Sequence, residues 1–204
     1  MRLPASVLTD RYGGRNVFIA IMLLSAIAMY CVSFCNSFEH FLLAGLGFGL
    51  SGASFAVGIA YTSLWFPKGK QGTALGIFGA GNAGASVTSM GAPHLLNFCT
   101  NNLQNLDGWR SVPKVYAGIL IISTVIFWLF TYPKTVDKTG LSIAQQLAPL
   151  KQSRVWRFGV YYFFVFGGFV ALSQWLISYY LNVYAMSLAM AGLMASVFSL
   201  PSGV

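Results

Sequence analysis

Polar and charged residues are confined to a few short segments, and long apolar runs fill the intervals. The runs cover residues 17–34, 41–66, 72–98, 115–132 and 158–184, and a sixth begins near Ser187 and continues to Val204. About 20 mostly apolar residues suffice for a helix to cross a bilayer. Each run is therefore expected to be a transmembrane helix. Residues 1–9 are apolar apart from Arg2 and read as the end of one more helix. The expectation is an all-α membrane protein, a helical bundle of about six full or near-full transmembrane helices plus the end of another.

The segments between the runs alternate in charge. Of the 12 Lys and Arg residues, nine fall in segments 10–15, 67–71 and 133–157. Two, Arg110 and Lys114, fall in segments 35–40, 99–114 and 184–186 combined, and Arg2 lies within a helix. The positive-inside rule puts the first set in the cytoplasm. Segment 133–157 is the longest and most polar, and it is the natural divider between two membrane lobes. Residues 1–132 then form part of a first lobe, and residues 158–204 begin a second. Within the divider, Leu141, Ile143, Ala144, Leu147 and Ala148 recur at near-helical spacing, so residues 141–150 are expected to form a short helix on the cytoplasmic surface.

Composition narrows the class. The chain has 204 residues, 56% hydrophobic and 8% charged, with a mean hydropathy of +0.68. A soluble domain runs about 25% charged. A soluble globular domain, a disordered chain and a nucleic-acid binder are thereby excluded. The net charge of +8 forms no basic face for an anionic polymer. Met1-Arg2-Leu3-Pro4 lacks the layout of a cleavable signal peptide. The cysteines Cys31, Cys35 and Cys99 have no metal-ligand spacing, and Cys31 and Cys35 share a helix face and read as small core residues.

Few residues could carry chemistry. Arg2 stands eight residues before Asp10, about 12 Å up a helix that ends at the cytoplasmic surface. An unpaired arginine at that depth costs at least about 2.5–3.5 kcal/mol and usually faces a cavity. Its planar fork of donors suits a flat oxyanion. A frayed, solvated terminus is the other reading. Gly45, Gly49 and Ala53 fall four apart, as do Gly72, Gly76, Ala80, Gly84 and Thr88. Such faces let helices approach closely. Asn82 sits in the denser run Gly79-Ala80-Gly81-Asn82-Ala83-Gly84, about 15 Å into its span. It is open to two readings, an interhelical hydrogen bond or a ligand contact beside exposed backbone. His40 and His94 fall near the outer ends of their spans, where two histidines could ligate a haem. Asp10, Glu39, Asp107 and Asp137 all lie in loops or at helix ends. With no intramembrane acid, proton relay in this stretch is disfavoured and anion exchange favoured. No nucleophile–base cluster, phosphate loop, cofactor motif or metal motif is present, so an enzyme is not expected.

The segment Ser6-Val7-Leu8-Thr9-Asp10-Arg11-Tyr12-Gly13-Gly14-Arg15 resembles the cytoplasmic helix 2–3 motif of the major facilitator superfamily, with Ser6 in place of a glycine and Gly14 in place of a basic residue. The second departure is typical of the nitrate/nitrite porter family. Arg2 in Arg-Leu-Pro, thirteen residues before Arg15, falls where these porters carry a substrate arginine. Phe66-Pro67-Lys68-Gly69-Lys70-Gln71-Gly72-Thr73-Ala74-Leu75-Gly76, followed by residues 79–84, is similar to their helix 4–5 loop and nitrate signature.

The resemblance covers the whole chain, from late helix 2 into helix 8 of a twelve-helix fold. It implies a fragment of an inner-membrane carrier that moves nitrate or nitrite by alternating access and works as a monomer in full-length form, without a cofactor. Arg2 would grip the anion and Asn82 would donate a hydrogen bond. Phe55 and Phe166 would pack against the flat substrate from the two lobes, and Tyr162 would hydrogen-bond it. Gly79, Gly81 and Gly84 would be signature glycines, and Asp10, Arg11, Gly13 and Arg15 the cytoplasmic gating motif. The family's second arginine, on helix 8, would follow just beyond Leu200-Pro201-Ser202-Gly203-Val204. The chain therefore reads as a window cut from a longer protein. The competing expectations are a facilitator for another small anion, a membrane subunit of a respiratory complex with haem on His40 and His94, and a short helical accessory protein.

Overall fold

A computed structural model describes residues 2–100, 105–134 and 148–200; of residues 2–4, 6, 10, 106 and 149 it describes the backbone alone. The chain forms two compact units, residues 1–78 with 96–139 and residues 79–95 with 140–204. Among the described residues, four helical stretches are long and apolar enough to cross a membrane: Gly14–Val32, Phe38–Ser63, Asp107–Phe130 and Ser153–Tyr184. A shorter apolar helix covers Leu188–Ser199.

In the first unit, α1 (Arg2–Tyr12) gives way to α2 (Gly14–Val32) at Gly13, whose φ of 84° is a left-handed value that glycine adopts without strain. Next comes α3 (Phe38–Gly49), with Ser37 accepting from the His40 N–H at its N-cap. A 3₁₀ turn, Leu50–Ala53, then leads into α4 (Ser54–Ser63). The expected single span over residues 41–66 is thus two α-helices joined by a tightened segment. α5 (Gln71–Gly79) follows. After a second short 3₁₀ turn, Leu106–Arg110, comes α7 (Ser111–Phe130).

The second unit holds the 3₁₀ turn Ala80–Asn82, most of α6 (Ala83–Cys99), the 3₁₀ turn Ala148–Lys151, α8 (Ser153–Tyr184) and α9 (Leu188–Ser199). α8 starts five residues before the expected apolar run, because Arg154 and Arg157 join its first turns. The surface helix expected over residues 141–150 lies mostly outside the described residues.

Within the first unit α2 packs most extensively against α7, and the two run antiparallel. One arginine ties each end. Arg15 donates to the Trp128 carbonyl, and Arg110 donates to the Ser33 carbonyl at 3.0 Å and to Asn36 Oδ1. Phe18 and Phe127 pack between them, centroids 4.9 Å apart. The interior is built of small residues such as Ala26, Ala53, Val57 and Ala117, while large side chains including Phe38, Leu46, Ile122 and Phe130 point outward. That is the distribution expected where lipid solvates the outside and close backbone approach holds helices together.

The glycines that permit close approach are not those with four-residue spacing. A Cβ on Gly14 would stand 2.8 Å from Tyr61 Cβ, one on Gly47 would stand 3.0 Å from Ala28 Cβ, and one on Gly58 would meet the Phe78 ring. Gly45, Gly49, Gly72 and Gly76 have nothing within 4 Å. Tightening at Leu50 changes the phase of the helix, so Ala53 is buried while Gly45 and Gly49 face open space. Cys31 also departs from expectation: it is exposed, and only Cys35 is buried, its Sγ donating to the Cys31 carbonyl at 3.5 Å.

In the second unit, α9 rests on α8 and α6. Pro93 has no N–H, so the Ser89 carbonyl one turn before it loses its helical donor. Gly192 of α9 packs directly over that carbonyl, with Pro93 Cγ 3.1 Å from where a Cβ would stand. Two turns along, Ser86 and Ser199 share a buried hydroxyl–hydroxyl hydrogen bond of 2.8 Å. Phe169 of α8 stacks on Phe198 of α9, 5.6 Å apart.

Candidate substrate and gating sites

Gly13 donates its N–H to the Thr9 carbonyl at 2.9 Å, and Thr9 Oγ1 donates to the Ala5 carbonyl at 2.7 Å. These bonds close α1 and turn the chain sharply into α2. The turn seats Gly14 on Tyr61 of α4. Tyr61 in turn donates its hydroxyl to the Tyr132 carbonyl, past the end of α7, at 2.6 Å. Its ring stands edge-on to both Trp65 and Phe127, each 6.2 Å away. Lys134 lies 4.7 Å above the Trp65 ring. Nε of Arg15 is buried with no hydrogen-bond partner, so the Trp128 carbonyl takes only one corner of the guanidinium.

Gly13 and Arg15 of the expected gating motif are therefore built into a knot of α1, α2, α4 and α7. Arg11 is exposed, 5.8 Å from the Tyr12 ring centroid. The Asp10 side chain lies outside what is described. Tyr61, Trp128 and Tyr132 went unrecognised in the sequence. The signal available for them was aromatic residues at the ends of two spans, beside basic segments.

The candidate substrate residues divide between the units. Arg2 is helical in α1, and its side chain lies outside what is described. Phe55 sits in the first turn of α4, partly buried, with its ring 5.6 Å from Phe78. Asn82 ends the 3₁₀ turn Ala80–Asn82 and is partly buried. A Cβ on Gly79, Gly81 or Gly84 would meet nothing within 4 Å, so these glycines leave the backbone around Asn82 uncovered. Tyr162 and Phe166, one turn apart on α8, stack at 5.1 Å with their planes 8° apart. The early start of α8 places Tyr162 nine residues in, about 13 Å from the helix end, deeper than a count from Arg157 suggests.

Tyr162 and Phe166 are thus brought together, and Phe55 is joined to Phe78. His40 is exposed at the start of α3 in the first unit, and His94 is exposed on α6 in the second. Among the described residues no group of three or more His, Cys, Asp or Glu could hold a metal.

The family model described as Major Facilitator Superfamily matches residues 1–204. The chain belongs to the major facilitator superfamily. As a major facilitator with several spanning helices, it is a multi-pass membrane protein. It is 44% identical to a probable nitrate/nitrite antiporter of Thermus thermophilus, over 100% of this chain and 47% of the relative. It is 29% identical to a nitrite extrusion protein of Bacillus subtilis, over 97% of this chain and 48% of the relative. It is 30% identical to a nitrate/nitrite transporter of Escherichia coli, over 85% and 40%. The chain therefore spans about half the length of the curated relatives it matches. No solved structure matches it.

Proposed function

We propose that this facilitator chain is part of a plasma-membrane carrier that moves nitrate or nitrite by alternating access. The observation that carries the reading is its 44% identity, over its whole length, to a protein named as a probable nitrate/nitrite antiporter. The site chemistry supports it. Arg2 supplies a charged bidentate donor, which fits two oxygens of a flat monoanion. Asn82 supplies a neutral donor beside glycines that leave backbone amides open. Phe55 and the Tyr162–Phe166 stack supply planar walls. The full-length protein acts as a monomer, and anion exchange needs no intramembrane acid from this stretch.

Nitrate uptake by the full-length carrier, in cells lacking other nitrate carriers, tests the assignment. Arg2→Lys keeps the charge and loses the fork, so apparent affinity should fall by about tenfold or more. Wild-type uptake by that variant overturns the role of Arg2. Competition by nitrite, against no competition by chloride or formate, separates this reading from a facilitator for another small anion.

A further inference from the structure

Hydroxyls on the membrane helices of this chain usually satisfy themselves against their own helix. Thr9 donates to the Ala5 carbonyl, Ser63 to Ala60, Thr124 to Leu120, Ser173 to Val170 and Ser196 to Leu193. Ser25 does not. It is 2% exposed, and its Oγ is buried without a partner. Ser25 lies eleven residues into α2, about 16 Å from its cytoplasmic end, close to the middle of the bilayer. It opens on a cavity of about 320 Å³ in the first unit, also lined by Ser51, Ser54, Phe48 and Leu120. Ser51 lies within the 3₁₀ joint Leu50–Ala53 and Ser54 directly follows it; both are half-buried, and no hydrogen bond of their hydroxyls is found among the described residues.

We propose that this cavity is a hydration site, in which bound water bridges the hydroxyls of Ser25, Ser51 and Ser54 and ties α2 to the joint between α3 and α4. A buried hydroxyl left unpaired in an apolar layer is costly, and a buried water needs two to four polar partners and space of its own volume. Ser25 supplies one buried, unpaired hydroxyl, Ser51 and Ser54 line the same cavity with two more, and the space exceeds that of a water molecule. A water bridge also lets the joint shift while its polar groups stay satisfied, which a direct side-chain bond would not allow.

Two measurements on the full-length protein in membranes test this. Radiolysis by synchrotron X-rays generates hydroxyl radicals from bound water and oxidises adjacent side chains, and Met22 lines the same cavity. Met22 should be oxidised in the wild type, severalfold faster than in Ser25→Val, which removes the hydroxyl and fills space. Thermal unfolding supplies the second readout. Ser25→Ala should lower Tm, because a bridging ligand is lost, and Ser25→Thr, which keeps a hydroxyl, should restore much of it. Absence of Met22 oxidation overturns the proposal and marks the cavity as dry or lipid-filled. A Tm unchanged or raised by Ser25→Ala also overturns it, because removing a hydroxyl that truly lacks a partner is neutral or stabilising.

Discussion

Gly192→Ala tests the tightest helix contact in the second unit. A methyl group at this position points at the Ser89 carbonyl, which Pro93 has already stripped of its helical donor. Neither partner can yield locally, because one is backbone and the other is a proline ring 3.1 Å away. α9 must therefore move off α6 by about 1 Å before the contact becomes an ordinary one. The Ser86–Ser199 hydrogen bond, 2.8 Å long and two turns away, then opens past bonding distance. Overpacking of this kind costs about 1–3 kcal/mol. The lost interhelical bond adds about 0.6 kcal/mol. Together these predict a Tm lower by several degrees, measured by thermal unfolding of the full-length carrier in detergent. The coupling is the sharper readout. Ser86→Ala should lower Tm in the wild-type background and do little more in Gly192→Ala, where the bond is already broken. An unchanged Tm in Gly192→Ala, or strictly additive effects, refutes the contact.

Other outcomes follow from single positions. Gly13→Ala forces a side chain into φ 84° and should destabilise by about 1–3 kcal/mol in chemical unfolding; Gly14→Ala drives a methyl into Tyr61 and should act similarly. Arg110→Ala removes two bonds that tie α7 to the end of α2 and should cost about 1–2 kcal/mol in the same assay. Asp107→Asn should cost less than about 0.5 kcal/mol, because that carboxylate is 85% exposed and 3.5 Å from Arg110. Ala185 ends α8 in the left-handed region at φ 49°. Ala185→Gly should therefore raise stability by about 1 kcal/mol, read as a higher Tm.

The spans were legible because lipid demands long uninterrupted apolar runs, and α2, α7 and α8 fall where those runs lie, with ends shifted by at most five residues. The loop between α1 and α2 was legible because Gly13 must supply a left-handed turn. Helix interiors were harder to read. Residues 41–66 and 72–98 look continuous by hydropathy, which does not register a local change from α to 3₁₀ pairing at Leu50–Ala53 or Ala80–Asn82. The packing glycines were missed for the same reason. Four-residue spacing picked out Gly45 and Gly49, whereas contact depends on which neighbour lies opposite, and that chose Gly14, Gly47, Gly58 and Gly192. The aromatic pair Tyr162–Phe166 is visible as an i, i+4 spacing. The Tyr61 knot is not, because its partners at 127–132 are distant in sequence.

The short joint Leu50–Ala53 amounts to a screw thread. A 3₁₀ segment turns about 120° and rises about 2.0 Å per residue, against about 100° and 1.5 Å for an α-helix. Over the four residues Leu50–Ala53 the difference accumulates to about 80° of rotation and about 2 Å of length. Reversion of that one stretch to α pairing would swing Phe55 and the rest of α4 by nearly a quarter turn about their own axis and draw them inward. No bend would be needed. A span can in this way re-aim an aromatic side chain at mid-membrane while both of its ends stay anchored in the headgroups.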